Sequence, residues 1–293
     1  MAKEMQRNFL IGDEWIYYKF FCGHNASNKI ITEILQPITK ELLADKIISQ
    51  WFFIRYNDPS YHVRFRIKLT NPNYVGHVIL RLNAYLKTFV SEELIWNVEI
   101  DTYKREIERY GSKTMLISEN IFFYDSKIIS DFIEFDGNTD KMHYKNLFGL
   151  NLMNFYLDSF GLSLERKISF TESLKNLFYK EFGNEKYIKK QIDQVFSNNN
   201  ILTTNLLLNK ITKRNPLTKY IFSYKKEMQL NINMIKKLDN KNELDVNINN
   251  LISSYIHMSI NRLFKANNRL HELTMYDCLW RYYKKLYFMS KIS

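Results

Sequence analysis

The segment Trp51–Leu69, WFFIRYNDPSYHVRFRIKL, constrains the fold more than any other stretch, because its pattern suits a β-hairpin and little else. Asn57-Asp58-Pro59-Ser60 is turn chemistry, and residues of high strand propensity run on both sides of it. Side chains of a strand alternate faces, so His62, Arg64, Arg66 and Lys68 point one way and Tyr61, Val63, Phe65, Ile67 and Leu69 the other. With a four-residue loop, Tyr56 faces Tyr61, and Arg55, Phe53 and Trp51 fall opposite His62, Arg64 and Arg66. One face is then cationic and aromatic together. Such a surface suits a planar anion or a developing oxyanion, since guanidinium groups bind carboxylates through paired N–H donors and stack on rings. Alternating charge is also ordinary on the solvated face of an antiparallel sheet, so spacing alone does not decide between the two readings.

The flanking pattern embeds this hairpin in a larger unit. Trp15–Cys22 is short and aromatic, as a strand is, and Ser27–Ile48 repeats apolar residues at helical spacing. Beyond the hairpin, Pro72 opens a second helical pattern with Val75, Ile79, Leu82, Leu86 and Val90 on one stripe, and Leu94–Tyr103 returns to strand residues. The order β-α-β-β-α-β predicts an α+β fold with a ferredoxin-like N-terminal unit over residues 1–112. From 113 to 293 helical periodicity dominates, through Leu116–Phe135, Tyr144–Phe160, Phe170–Phe182, Tyr187–Phe196, a long pattern Leu217–Leu238 after Pro216, Val246–Lys265 and His271–Met289. The Asn-rich stretches Ser197–Asn200 and Asn240–Asn250 read as loops or helix ends. We expect this helical part to pack on the sheet as one domain.

Composition narrows the function classes. The net charge of +11 allows long-range attraction of a polyanion, but a bias toward Asn, Ile and Lys inflates basicity by itself, so no direct nucleic-acid partner is expected. Cys22 and Cys278 are the two cysteines, with no CxxC and no Cys/His cluster at zinc-site spacing, which predicts reduced thiols, a cytoplasmic protein and no structural metal. The N-terminus has charges scattered through it and no signal-peptide core, and no apolar run approaches the ~20 residues that span a bilayer. Glycine-rich phosphate loops, GxSxG and HExxH are absent, leaving nucleotide hydrolysis, dinucleotide redox chemistry and zinc proteolysis without support.

Two further clusters carry chemistry. In Tyr103-Lys104-Arg105-Glu106-Ile107-Glu108-Arg109-Tyr110-Gly111 a helical turn puts the carboxylate of Glu106 beside Arg109 and Tyr110, with Gly111 closing the turn; the plain alternative is an ordinary exposed i, i+3 ion pair. In SSYIHMSINRLF, His257 and Asn261 share one helix face with Arg262 beside them. A histidine on a mostly apolar helix is commonly a hydrogen-bonded core residue, yet its ordinary pKa near ~6.5 makes His257 the best proton-transfer group in the chain.

In order and spacing, WIYYKFFCG at Trp15–Gly23, the hairpin, TYKREIERYG at Thr102–Gly111, FFYDS at Phe122–Ser126 and IHMSINRLF near the C-terminus resemble the glutamate-elimination domain of class I lanthipeptide dehydratases, a group shared with thiopeptide-type bacteriocin biosynthesis proteins. The resemblance implies a lyase that expels glutamate from glutamylated Ser or Thr of a ribosomally made precursor peptide, leaving dehydroalanine or dehydrobutyrine, without a cofactor. By position it implies functional roles for Arg64, Arg66, Glu106, Arg109 and His257, all five residue types being retained. Ser112 departs from the pattern, since many relatives continue ERYG with a second glycine. The length of 293 residues leaves no room for the family's glutamyl-transferring domain, so the expectation is a stand-alone elimination subunit. Its expected partners are the glutamylated precursor peptide, a separate glutamyl-tRNA-dependent glutamylating subunit and a cyclase. Two alternatives carry other expectations: a thiopeptide pyridine synthase, related in fold, and a non-catalytic precursor-binding subunit.

Overall fold

Strand β3 is apolar on both faces, with Trp51, Phe52, Phe53 and Ile54 at most 7% exposed, so its own alternation cannot set the hairpin register. The turn sets it. In the computed structural model, which describes residues 5–137, 142–183, 186–190, 192–193, 212–215 and 217–292, Asn57 pairs with Tyr61 and three residues, not four, lie between them. Arg55 therefore lies opposite Val63, Ile54 opposite Arg64 and Phe52 opposite Arg66, which corrects the expected pairing by one residue. A one-residue slip exchanges the faces of a strand, so Phe52, Ile54 and Tyr56 flank the cationic row and Trp51, Phe53 and Arg55 belong to the other side. Ser197–Asn200, Pro216 and part of the Tyr187–Phe196 segment lie outside the described residues.

The chain is α+β with small antiparallel sheets. In chain order come β1 (Asn8–Phe9), β2 (Trp15–Cys22), α1 (Ala26–Lys29), a π-helical run Ile30–Leu35, α2 (Gln36–Ala44), β3 (Ile48–Asn57), β4 (Tyr61–Leu69), α3 (Val75–Ser91), β5 (Ile95–Asp101), β6 (Tyr103–Lys104), α4 (Ile107–Tyr110) and α5 (Met115–Asp136). Next come α6 (Met142–Ser159), α7 (Leu164–Phe182), α8 (Lys219–Ser223), α9 (Lys225–Asn240), α10 (Ile248–Leu263) and α11 (Asn268–Ile292). The main sheet runs β3-β4-β2-β5 with every neighbour antiparallel, and β1 pairs with β6. Helix α2 ends before the expected boundary at Ile48, because Lys46 adopts a left-handed φ of 57° and Ile47 N–H bonds back to Leu42 O at 2.9 Å. Helix α3 buries Val78, Leu82, Leu86 and Phe89, a stripe that keeps Leu82 and Leu86 of the expected one but leaves Val90 exposed. The long Leu217–Leu238 pattern is broken at Tyr224 into α8 and α9.

Two compact units result: Met1–Phe135 with Lys237–Ala266, and Asp136–Lys236 with Asn267–Ser293. This division does not follow residue 112, because helices α5 and α10 belong with the sheet. They cover the edge strand β3: Phe53 N–H donates to Ser126 Oγ at 3.3 Å, and Arg262 Nε donates to Phe53 O at 2.8 Å. Arg262 is held in turn by Asp125 at 2.7 Å, and Ser259 Oγ donates to the other Asp125 oxygen at 2.8 Å, with Arg262 and Asp125 both only 1% exposed. On the far face, Arg55 donates to Arg262 O at 2.9 Å and Asn28 Oδ1 at 2.7 Å, and also to Ser27 Oγ.

In the second unit, α11 packs along α7, where Phe170 and Phe178 meet Tyr276 and Arg269 grips the Glu181 carboxylate. Burial, with repulsion from Lys145 on α6 added to it, pushes His271 of α11 down to about 4. His271 is thus neutral when folded near pH 7 but binds a proton near its ordinary ~6.5 when unfolded. Because the unfolded chain then binds more protons, this contribution is complete above about pH 6.5 and is lost as the pH falls toward about 4, by about 3 kcal/mol. Urea midpoints should drop over that window, and less so for His271→Gln; equal slopes for the two proteins contradict the assignment. Both cysteines are free and buried. Among the described residues no helix is long and apolar enough to cross a membrane.

Candidate active site

Strand alternation brings the cationic row of β4 against β2, with Lys19 beside Arg64 and Tyr17 beside Arg66. The three cations differ in what answers their charge. Lys19 pairs with Asp101 at 2.5 Å and with Glu99 at 3.7 Å, both from β5. Arg64 lies over the Tyr56 ring at 3.4 Å, and its Nε donates to His62 Nε2 at 3.0 Å. His62 therefore accepts at Nε2 and carries its proton on Nδ1, which donates to Ser60 O at 2.7 Å. Burial, more than the nearby Arg64 and Lys19 charges, lowers the His62 pKa and keeps the ring neutral for this role.

Arg66 stands apart. It is 7% exposed, and its guanidinium lies 4.3 Å from the Tyr17 ring centroid, 5.1 Å from Tyr103 and 5.3 Å from Phe52. Its buried Nε and Nη1 have no hydrogen-bond partner among the described residues. A desolvated cation beside π-faces, with donors unspent, has the chemistry to take up an anion.

The second wall is the turn α4. Arg109 and Tyr110 N–H groups both return to Glu106 O at 3.0 Å, and Gly111, at φ 77°, closes the turn through Ile107 O at 2.7 Å. Gly111 is required: a Cβ there would collide with the Asp245 carboxylate and come within 2.9 Å of Thr114 Oγ1. Asp245 accepts from both Ser112 N–H at 2.6 Å and Ser112 Oγ at 2.7 Å, so serine supplies here a contact that a second glycine lacks. Arg109 Nε donates to Ser254 Oγ on α10 at 3.0 Å, and its Nη1 lies 3.5 Å from Glu106 Oε2. Glu106 keeps 56% of its side chain exposed, whereas Tyr110 turns inward against Phe122 and Tyr255.

Between these walls is a cleft of about 20 Å³, lined by Arg66, Glu106, Tyr110, Tyr103, Phe52 and Met258 among others. That is room for about one water-sized group, so it admits the end of an anion and not a whole residue. The sequence of residues 15–283 matches the family model described as lantibiotic biosynthesis dehydratase C-term. The chain belongs to this family. It is 25% identical over 282 residues to the subtilin biosynthesis protein SpaB of Bacillus subtilis, covering 94% of this chain and 26% of SpaB, so it spans about a quarter of that relative's length. In fold it is similar to the tRNA-dependent lantibiotic dehydratase MibB from Microbispora sp. 107891, with a TM-score of 0.69 and 15% identity over 96% of this chain and 29% of MibB. It is similar to nearly the same degree to the pyridine synthase TbtD from thiomuracin biosynthesis, with a TM-score of 0.68 and 11% identity over 93% of this chain and 100% of TbtD.

For this member of the dehydratase C-terminal family, the residues singled out in the sequence separate into three positions. Arg66 and Glu106 line the cleft, and Arg109 is joined to it through Glu106. Arg64 shares the face of Arg66 one strand alternation away. His257 lies outside the cleft lining, on α10 between Ser254, which holds Arg109, and Met258, which forms part of the wall; Asn261 donates to its Nε2 at 3.1 Å. Sequence reasoning missed Tyr17, Tyr56 and His62 as supports of the arginines, and Ser254 and Asp245 as anchors of the turn. Alternation along β2 puts Tyr17 and Lys19 on one face, but only the sheet order sets that face beside Arg64 and Arg66.

Proposed function

We propose that this chain eliminates glutamate from glutamylated Ser or Thr of a ribosomally made precursor peptide. The observation that carries the reading is Arg66, a buried guanidinium with two nitrogens that make no hydrogen bond among the described residues, in the lining of a cleft with room for about one water-sized group. In the reaction the Cα proton is removed, the Cα=Cβ bond forms and the Cβ–O bond breaks, so that glutamate leaves as a carboxylate. Negative charge develops on the neighbouring amide oxygen and on the departing group, and Arg64, Arg66 and Arg109 are the donors that answer it. His257 moves the proton, its ring oriented by Asn261, and Glu106 orients Arg109. The N-terminal strand order supports reading the sheet unit as ferredoxin-like. The substrate has to be glutamylated beforehand by a glutamyl-tRNA-dependent activity, and a cyclase would consume the dehydrated product.

The fold similarity to a pyridine synthase favours a second reading, formal cycloaddition of two dehydroamino acids, while membership of the dehydratase family favours elimination. Incubating the purified protein with a synthetic peptide bearing one O-glutamyl-Ser separates them by mass spectrometry. Elimination predicts loss of the glutamyl group and one unsaturation in the peptide. A peptide that binds but keeps its glutamyl ester sinks the proposal.

A further inference from the structure

Tyr110 lines the cleft with a side chain whose hydroxyl has no described role in the fold. The ring packs at 4.9 Å on Phe122 and at 5.8 Å on Tyr255, which satisfies its apolar face. Its hydroxyl is buried and has no hydrogen-bond partner among the described residues, whereas the Tyr255 hydroxyl stacked beside it meets Ser118 Oγ at 2.7 Å. A buried phenol normally finds a partner, and an orphaned one costs desolvation free energy. Other unpartnered donors exist in the chain, but Tyr110 and Arg66 line the same cleft.

We propose that Tyr110 is a substrate-binding and catalytic residue whose hydroxyl donates to the same anionic oxygen centre as Arg66, the carboxylate of the glutamyl group or the oxyanion formed as it leaves. Burial drives its pKa well up, so the hydroxyl stays protonated and offers a donor to an incoming acceptor. The donors complement each other: Arg66 supplies charge from the sheet and Tyr110 a directional O–H from the turn. A cleft of about 20 Å³ has room for one carboxylate end, and a hydrogen bond made from a buried donor there is stronger than one made in water. The neighbouring walls at Met115 and Met258 are flexible thioether side chains, suited to closing over a small group. The inference rests on the proposed elimination for its catalytic half, and on the cleft alone for its binding half.

Tyr110→Phe tests it, because the substitution keeps the ring and removes an oxygen that no described protein group uses. Thermal stability should be unchanged or raised. Elimination from an O-glutamyl-Ser peptide should slow by about tenfold to a hundredfold, and binding of free L-glutamate, measured by calorimetry, should weaken by about tenfold. Equal rates and equal glutamate affinity for Tyr110→Phe and the parent overturn the inference, as does a loss of activity matched by a loss of stability. If the parent eliminates no glutamate, the proposed reaction falls, and the calorimetric arm alone decides whether Tyr110 is an anion donor. A parent that binds no glutamate rejects the site.

Discussion

Arg66→Ala should abolish most elimination activity and leave the protein at least as stable as before. The loss of one preorganised donor to a developing oxyanion costs about 3 kcal/mol of transition-state stabilisation, about a hundredfold in rate. The folded state loses little, because Nε and Nη1 of Arg66 serve no described protein acceptor and the charge is buried between the rings of Tyr17, Tyr103 and Phe52. Removing a desolvated cation that has no counterion among the described residues relieves a penalty. Arg66→Lys should rescue poorly, since an ammonium neither meets the Tyr17 and Tyr103 rings as a planar cation does nor presents two parallel donors. Rates on the glutamylated peptide and melting temperatures, measured together, check this. A variant that melts much lower, or one that eliminates at the parent's rate, refutes the picture of an unsatisfied anion site.

Arg262→Ala should have the reverse signature, a large fall in stability. The residue lies close to His257 in sequence and is buried with the same charge as Arg66, yet it has a carboxylate partner. It is 1% exposed, pairs with a 1% exposed Asp125 at 2.7 Å and donates to the edge carbonyl of Phe53 at 2.8 Å. Truncation strips the Asp125 carboxylate of its counterion while it stays buried against Ser259, and it uncovers the β3 edge, which costs about 3–5 kcal/mol. Replacing both charges, Arg262→Met with Asp125→Leu, should recover much of the loss, because no isolated buried ion is left. Denaturant unfolding followed by tryptophan fluorescence reads the effect, Trp51 being buried in the same unit. A single-variant loss below about 1 kcal/mol would mean that the pair is solvated in solution.

The contrast between these two arginines shows where sequence reasoning stops. Both lie in regular elements, each beside an apolar neighbour, and nothing local says that one is paired and the other is not. Arg262 meets Asp125 from a helix 137 positions away, a relation that no periodicity encodes. Register is the second limit. In β4 the alternation is clear and the faces of Arg64 and Arg66 were legible, but in β3 both faces are apolar and the three-residue turn decides the pairing. The turn Glu106–Gly111 was readable as one helical turn closed by glycine, while its anchoring by Asp245 and Ser254 comes from distant chain. For Ser112, the departure from the family pattern, the structure supplies the compensation in the Asp245 clamp.

By itself the sequence determined the main strands and helices of the sheet unit and their order, the cationic face of β4, and the family to which the chain belongs, because these depend on period, turn chemistry and short motifs that are local along the chain. The tertiary structure alone decided the hairpin register, the division into units that join α5 and α10 to the sheet, and which polar groups are left unpaired. Pairing is a property of three-dimensional neighbours: Lys19 has its carboxylates and Arg262 has Asp125, while Arg66 and Tyr110, which line one cleft, keep donors without a described partner, and on that difference the proposed site rests.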